Sequence, residues 1–181
     1  MDFSFFAVIA LFLLLDSTGF GIASLGACGL HELSHLAVMT LFGIAPEQIT
    51  FYGAGIRITS SQTDFAKPAV RTLVLIAGCL ANFLAAAVFR FAGYDAASAI
   101  NLFTGIFNLL PLGELDGAAL FKMLAIRLCR PENVDRAVRA AGIVSLTVIA
   151  LTAVFFVGEI SFTLVTTALY IIIVGSGILT K

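Results

Sequence analysis

The run Leu30-His31-Glu32-Leu33-Ser34-His35-Leu36 places the chain's only two histidines four residues apart, with a glutamate directly after the first. On a helix, residues four apart lie one turn above each other on the same face. Two imidazoles so placed can reach one metal ion. Glu32 falls in a neighbouring sector, where it can act as a base toward an attacking water instead of being consumed as a ligand. This H-E-x-x-H arrangement is that of zinc hydrolases. Here it sits in a stretch apolar enough for a lipid bilayer, which makes hydrolysis of peptide bonds within a membrane the leading expectation.

A two-histidine site needs a further ligand, and Asn108-Leu109-Leu110-Pro111-Leu112-Gly113-Glu114-Leu115-Asp116-Gly117 offers one. Pro111 cannot continue a helix without losing a backbone hydrogen bond, and Gly113 and Gly117 loosen the chain around it. Such a break can aim a carboxylate back into a helix bundle, where irregular backbone is tolerated if buried in protein. Asp116 is the expected third ligand, with Glu114 as the substitute. Taken alone, the Asp-Gly pair reads as an ordinary turn; beside the histidine pair the balance moves to a ligand.

A further polar group lies in Ala77-Gly78-Cys79-Leu80-Ala81-Asn82. Gly78 lets a neighbouring backbone approach closely, and Asn82 follows one turn later on the same face. An asparagine in an apolar helix usually makes an interhelical hydrogen bond. The alternative is donation to a substrate carbonyl or its developing oxyanion, for which Asn108 and Asn82 are the candidates. Asn101 reads as structural.

These residues must be held by a membrane fold. Hydrophobic residues make up 60 % of the 181 and charged ones 12 %, about half the charged share of a soluble domain, and the mean hydropathy is +1.09. At roughly 20 apolar residues per span, the length holds about six. The expected class is an all-α polytopic membrane protein with apolar segments near 3–17, 20–42, 69–92, 96–112, 137–157 and 160–179. Residues 1–181 then form a single domain, with a catalytic core at about 20–120 and two further spans at about 137–179. The first segment lacks a preceding basic residue and a small-residue cleavage site, so it reads as a retained span. Between the second and third segments, residues 48–52 and 56–60 flank Gly53-Ala54-Gly55 and predict a β-hairpin-like loop. The stretch from Pro111 to Arg136 reads as an interruption between spans.

With six spans, every lysine and arginine except Arg90 falls on one side, so both termini are expected in the cytoplasm. The basic cluster at 127–139 is explained by anionic lipid headgroups and calls for no nucleic-acid partner. Cys28, Cys79 and Cys129 form no C-x-x-C pair and read as reduced thiols in or beside apolar segments.

Together the three motifs resemble the site-2 protease family of intramembrane zinc metalloproteases. The likeness rests on H-E-x-x-H at His31–His35, G-x-x-x-N at Gly78–Asn82 and N-x-x-P-x-x-x-x-D-G at Asn108–Gly117, in the family's order. Ser34 stands where many relatives have glycine, and Cys79 where proline is common; neither change removes a ligand. The six-span layout and apolar loop are most similar to the stage IV sporulation protein FB branch. The resemblance implies one Zn2+ per chain on His31, His35 and Asp116, with Glu32 as catalytic base. It also implies a bacterial cell-membrane location and a membrane-bound or membrane-associated substrate such as a sigma-factor precursor or anti-sigma factor. An inhibitory membrane partner fits the same picture; the oligomeric state is not legible. The competing readings are a pseudoprotease that binds transmembrane segments without cutting them, and a metal transporter. Transport would need ligands at several depths, whereas this chain concentrates them at one.

Overall fold

In a computed structural model, the described residues are 19–157 without 53, 54, 61, 64 and 65, together with 10, 14 and 16. The expected sixth segment lies outside them, and the first almost wholly so. The chain divides into two compact units, Met1–Phe107 and Asn108–Lys181.

The first unit begins with helix α1, Phe20–Leu41, about 33 Å long at 1.5 Å per residue. The Asp16 carboxylate accepts a hydrogen bond from the Gly21 N–H at 2.6 Å, placing negative charge at the positive end of the helix dipole. At the other end, Ile44 N–H reaches the Met39 carbonyl at 2.9 Å and Gly43 N–H the Thr40 carbonyl at 3.0 Å. That closure requires a left-handed residue, and Gly43 supplies it at φ +68°.

Strands β1 (Gln48–Tyr52) and β2 (Gly55–Thr59) follow and pair antiparallel, with Ile49 opposite Ile58 and Phe51 opposite Ile56. The residues that would form the tip, 53 and 54, lie outside the described set. Ile58 packs on a core of Met39, Ile44 and Val74, and the Ser60 hydroxyl donates to the Ala45 carbonyl at 2.8 Å. The strand pair is therefore fastened to the lower end of α1.

Helix α2, Pro68–Phe91, starts with proline, whose fixed φ suits a first helical turn, and packs along α1. Among the described residues, it is the helix long and apolar enough to cross a membrane. Helix α3, Asp95–Asn108, is tied back to α2 by the Ser98 hydroxyl on the Ala86 carbonyl at 2.8 Å. At 14 residues it covers about 21 Å, short of the ~30 Å hydrocarbon thickness. The expected segment at 96–112 thus stops four residues early, ahead of Pro111.

Around the histidines the unit is apolar outside and polar or small inside. Leu33, Leu80, Leu84 and Val88 face outward, whereas Ala27, His31, Gly78, Cys79, Asn82 and Asn101 are buried. Hydrocarbon solvent favours that distribution, because polar groups in lipid turn toward the bundle interior. Of the cysteines, Cys79 is buried, whereas Cys28 lies on the outward side of α1 and is exposed.

The second unit opens with Asn108 and a connector, residues 109–115, then helix α4, Asp116–Leu128. A short 3-10 turn, Pro131–Asn133, leads into helix α5, Val134–Val157. The stretch expected as an interruption is thus half helix. Its run of Ala, Leu, Lys, Met and Arg residues favours that state, and α4 packs on α5, with Lys122 and Asp135 paired at 3.2 Å. The close fold of the connector is permitted by missing side chains. A Cβ on Gly142 of α5 would stand 2.9 Å from the Pro111 carbonyl oxygen.

Candidate metal centre

His31 and His35 lie one turn apart on the face of α1 that meets α2, 3 % and 8 % exposed. On the opposing helix, Val74, Gly78 and Asn82 also follow at four-residue steps, forming one stripe. The two rows run in opposite senses. His35 Nδ1 lies 2.7 Å from the Val74 carbonyl oxygen, and His31 Nδ1 lies 2.8 Å from Asn82 Oδ1. Gly78 stands between these two contacts.

Those partners fix the chemistry of the rings. The Val74 carbonyl can only accept, so His35 carries a hydrogen on Nδ1, and the neutral ring then has its lone pair on Nε2. Asn82 reaches the Ala27 carbonyl and Asn101 Oδ1 through Nδ2, each at 3.0 Å. That commits both amide hydrogens and turns Oδ1 toward His31, which must likewise hold its hydrogen on Nδ1. In their neutral form both histidines therefore carry the lone pair on Nε2, the form that binds a metal, with the other ring nitrogen anchored as metal-binding histidines normally have it.

The two imidazoles converge above Gly78. A Cβ there would lie 2.6 Å from His31 Cε1, His31 Nε2 and His35 Nε2 alike. No side chain fits beneath the ring edges. Glycine at this position serves the approach of two imidazoles, where the sequence suggested the approach of a backbone.

Glu32 is half-buried on α1 in the sector beside His31. The Ser34 hydroxyl donates to the Leu30 carbonyl one turn back at 2.7 Å, so serine within the motif is absorbed by its own helix. With Nδ2 spent on Ala27 and Asn101, Asn82 has no N–H to offer an oxyanion; its geometry is that of a residue positioning His31. Asn108, the other oxyanion candidate, is half-buried at the end of α3.

In the second unit, Asp116 is half-buried in the first turn of α4 and Glu114 is exposed on the connector. The neighbouring Gly117 explains how the connector can fold so close to the helix start. A Cβ there would overlap the Leu109 carbonyl and come within 2.6 Å of the Leu110 oxygen. Of the sequence-predicted residues, the first unit brings together His31, His35, Gly78 and Asn82. Asn101 joins them through Asn82, a link that no local pattern signals.

No protein-family model and no curated protein matches this sequence. Among solved structures, the fold is similar to that of a site-2 protease from Methanocaldococcus jannaschii. The TM-score is 0.63 at 17 % sequence identity, over 93 % of this chain and 84 % of that one.

Proposed function

We propose that this chain is an intramembrane metal-dependent endopeptidase of the site-2 protease type, a multi-pass protein of a bacterial cell membrane with both termini cytoplasmic. In this reading His31, His35 and Asp116 hold a zinc ion, and Glu32 is the general base. The observation that carries it is the pair of buried imidazoles with both Nδ1 atoms anchored and both Nε2 atoms converging over Gly78. Two nitrogens and a carboxylate oxygen are the ligand set of a catalytic zinc site that keeps a position open. The fold likeness to a site-2 protease supports the same conclusion.

Bound zinc would supply Lewis acidity toward water and toward the scissile carbonyl. The chain's own residues do the rest. Glu32 takes a proton from the attacking water and returns it to the leaving amine, and Asn108 is the remaining candidate donor to the carbonyl oxygen. A helical substrate hides its peptide bonds and must unwind locally. The paired strands 48–52 and 55–59 offer an edge on which an unwound segment can add as a further strand. The substrate class is a membrane-bound or membrane-associated regulatory protein, such as a sigma-factor precursor or an anti-sigma factor.

The test is cleavage of a candidate substrate co-reconstituted with the native protein and with Glu32→Gln, metal content being measured in both. A base contributes about 10²–10⁴-fold. The variant should keep its metal and lose that factor in rate. Native protein that binds substrate and metal without cutting would instead establish a pseudoprotease, and metal flux into liposomes would establish a transporter.

A further inference from the structure

The polar contacts behind His31 extend one residue further than the site requires. Asn101 on α3 is 4 % exposed and Asn82 on α2 is fully buried. Asn101 Nδ2 donates to the Ala97 carbonyl at 2.9 Å. Asn101 Oδ1 then receives Asn82 Nδ2 at 3.0 Å, and Asn82 Oδ1 receives His31 Nδ1 at 2.8 Å. Three helices contribute one member each.

A chain of amides is reversible in principle, since each has a donor end and an acceptor end. This one is not, because it terminates on a backbone carbonyl that can only accept. The Ala97 oxygen forces Asn101 to point its nitrogen outward and its oxygen at Asn82. That oxygen, with the Ala27 carbonyl, forces Asn82 to turn both hydrogens away from His31. Reversing Asn82 would set its oxygen against two acceptors in a low-dielectric interior, where such conflicts are costly. The proton on His31 is therefore assigned from three hydrogen bonds away.

We propose that Asn101 is a positioning residue for the metal centre. Acting through Asn82, it locks His31 in the tautomer whose Nε2 lone pair faces a metal ion. His35 needs no such device, because the Val74 backbone carbonyl performs that task directly. The role assigned to Asn101 rests on the metal-site reading for its purpose, but the tautomer lock itself does not depend on any proteolytic activity.

The chain's two histidines make the test direct. Metal-free protein carrying isotope-labelled histidine gives one pair of ring-nitrogen signals per site, and the nitrogen couplings report the tautomer of each. Recorded in alkaline buffer, the native protein should show a single Nδ1–H form at both rings. In Asn101→Leu, and in Asn101→Val should leucine prevent folding, His31 should become a tautomer mixture while His35 keeps its native signals as the internal sign of an intact fold. Metal affinity should fall about 2- to 10-fold in the Asn101 variants, the range of one net hydrogen bond, and about 10- to 100-fold in Asn82→Leu. A native His31 protonated on Nε2, or Asn101 variants that keep a pure Nδ1–H form at His31, would overturn the proposal. Either result is readable whether or not the protein cleaves any substrate.

Discussion

His31 and His35 stand edge to face, with ring centroids 4.7 Å apart and planes at 80°. Spacing on α1 puts both rings on one side, but it does not make them converge. Convergence comes from α2, whose acceptors at Val74 and Asn82 hold the two Nδ1 atoms from either side of Gly78 while the Nε2 edges lean inward over it. The site is therefore as much a property of the third apolar segment as of the histidine motif.

Gly78→Ala should consequently damage the centre without touching a ligand. The added carbon must displace ring atoms that are hydrogen-bonded on their far side, so the rings cannot retreat without breaking those bonds. Overpacking of this kind costs about 1–3 kcal/mol. Thermal unfolding should show that loss, and metal titration should show affinity reduced at least about 10-fold. Native affinity in the variant would mean that the rings do not sit as described.

Asp116 and Glu114 are separable by substitution. Asp116→Asn removes an anionic ligand in the proposed set and should abolish stoichiometric metal. Glu114→Gln changes an exposed connector side chain and should leave metal content and cleavage unchanged. The reverse pattern would transfer the third ligand to Glu114.

The strand pair gives a third prediction. Proline removes a backbone donor and a ladder hydrogen bond. Ile58 packs on Met39, Ile44 and Val74, so proline there would disturb the anchoring of β2 as well. Phe51→Pro is the diagnostic change. Cleavage should fall by an order of magnitude, about 1.4 kcal/mol of lost main-chain bonding, while metal content stays native. Undiminished turnover would remove the strand edge from substrate binding.

Much of the centre was legible because it is local. The four-residue spacing of the histidines and of Gly78 and Asn82 expresses one helical turn, and sequence displays such periods directly. What stayed hidden depends on pairing across the chain. Asn82 meets His31 across 51 positions, and nothing near either residue tells a hydrogen bond to imidazole from one to substrate. Asn101 read as structural because its partner is another asparagine, 19 positions away. Helix α4 was missed for a different reason. Its charged residues disqualify it as a span, and a reading tuned to spans passes over a helix that packs on α5 by one face only.

The connector supplies the last prediction, through two glycines that matter for different reasons. Gly113 has φ +52° but open space around its Cβ position, whereas Gly117 has no such space. Gly113→Ala should therefore cost only the left-handed penalty of about 1–2 kcal/mol, with metal retained. Gly117→Ala would drive a carbon into the Leu109 and Leu110 carbonyls, which are main chain and cannot swing aside as a side chain does. The connector must move away from the start of α4, where Asp116 is the adjacent residue. Destabilisation should exceed that of Gly113→Ala, and metal content should fall with it. Unfolding midpoints and metal stoichiometry measured on the two variants side by side decide the matter. Equal effects would mean that the connector does not depend on its close packing against Gly117.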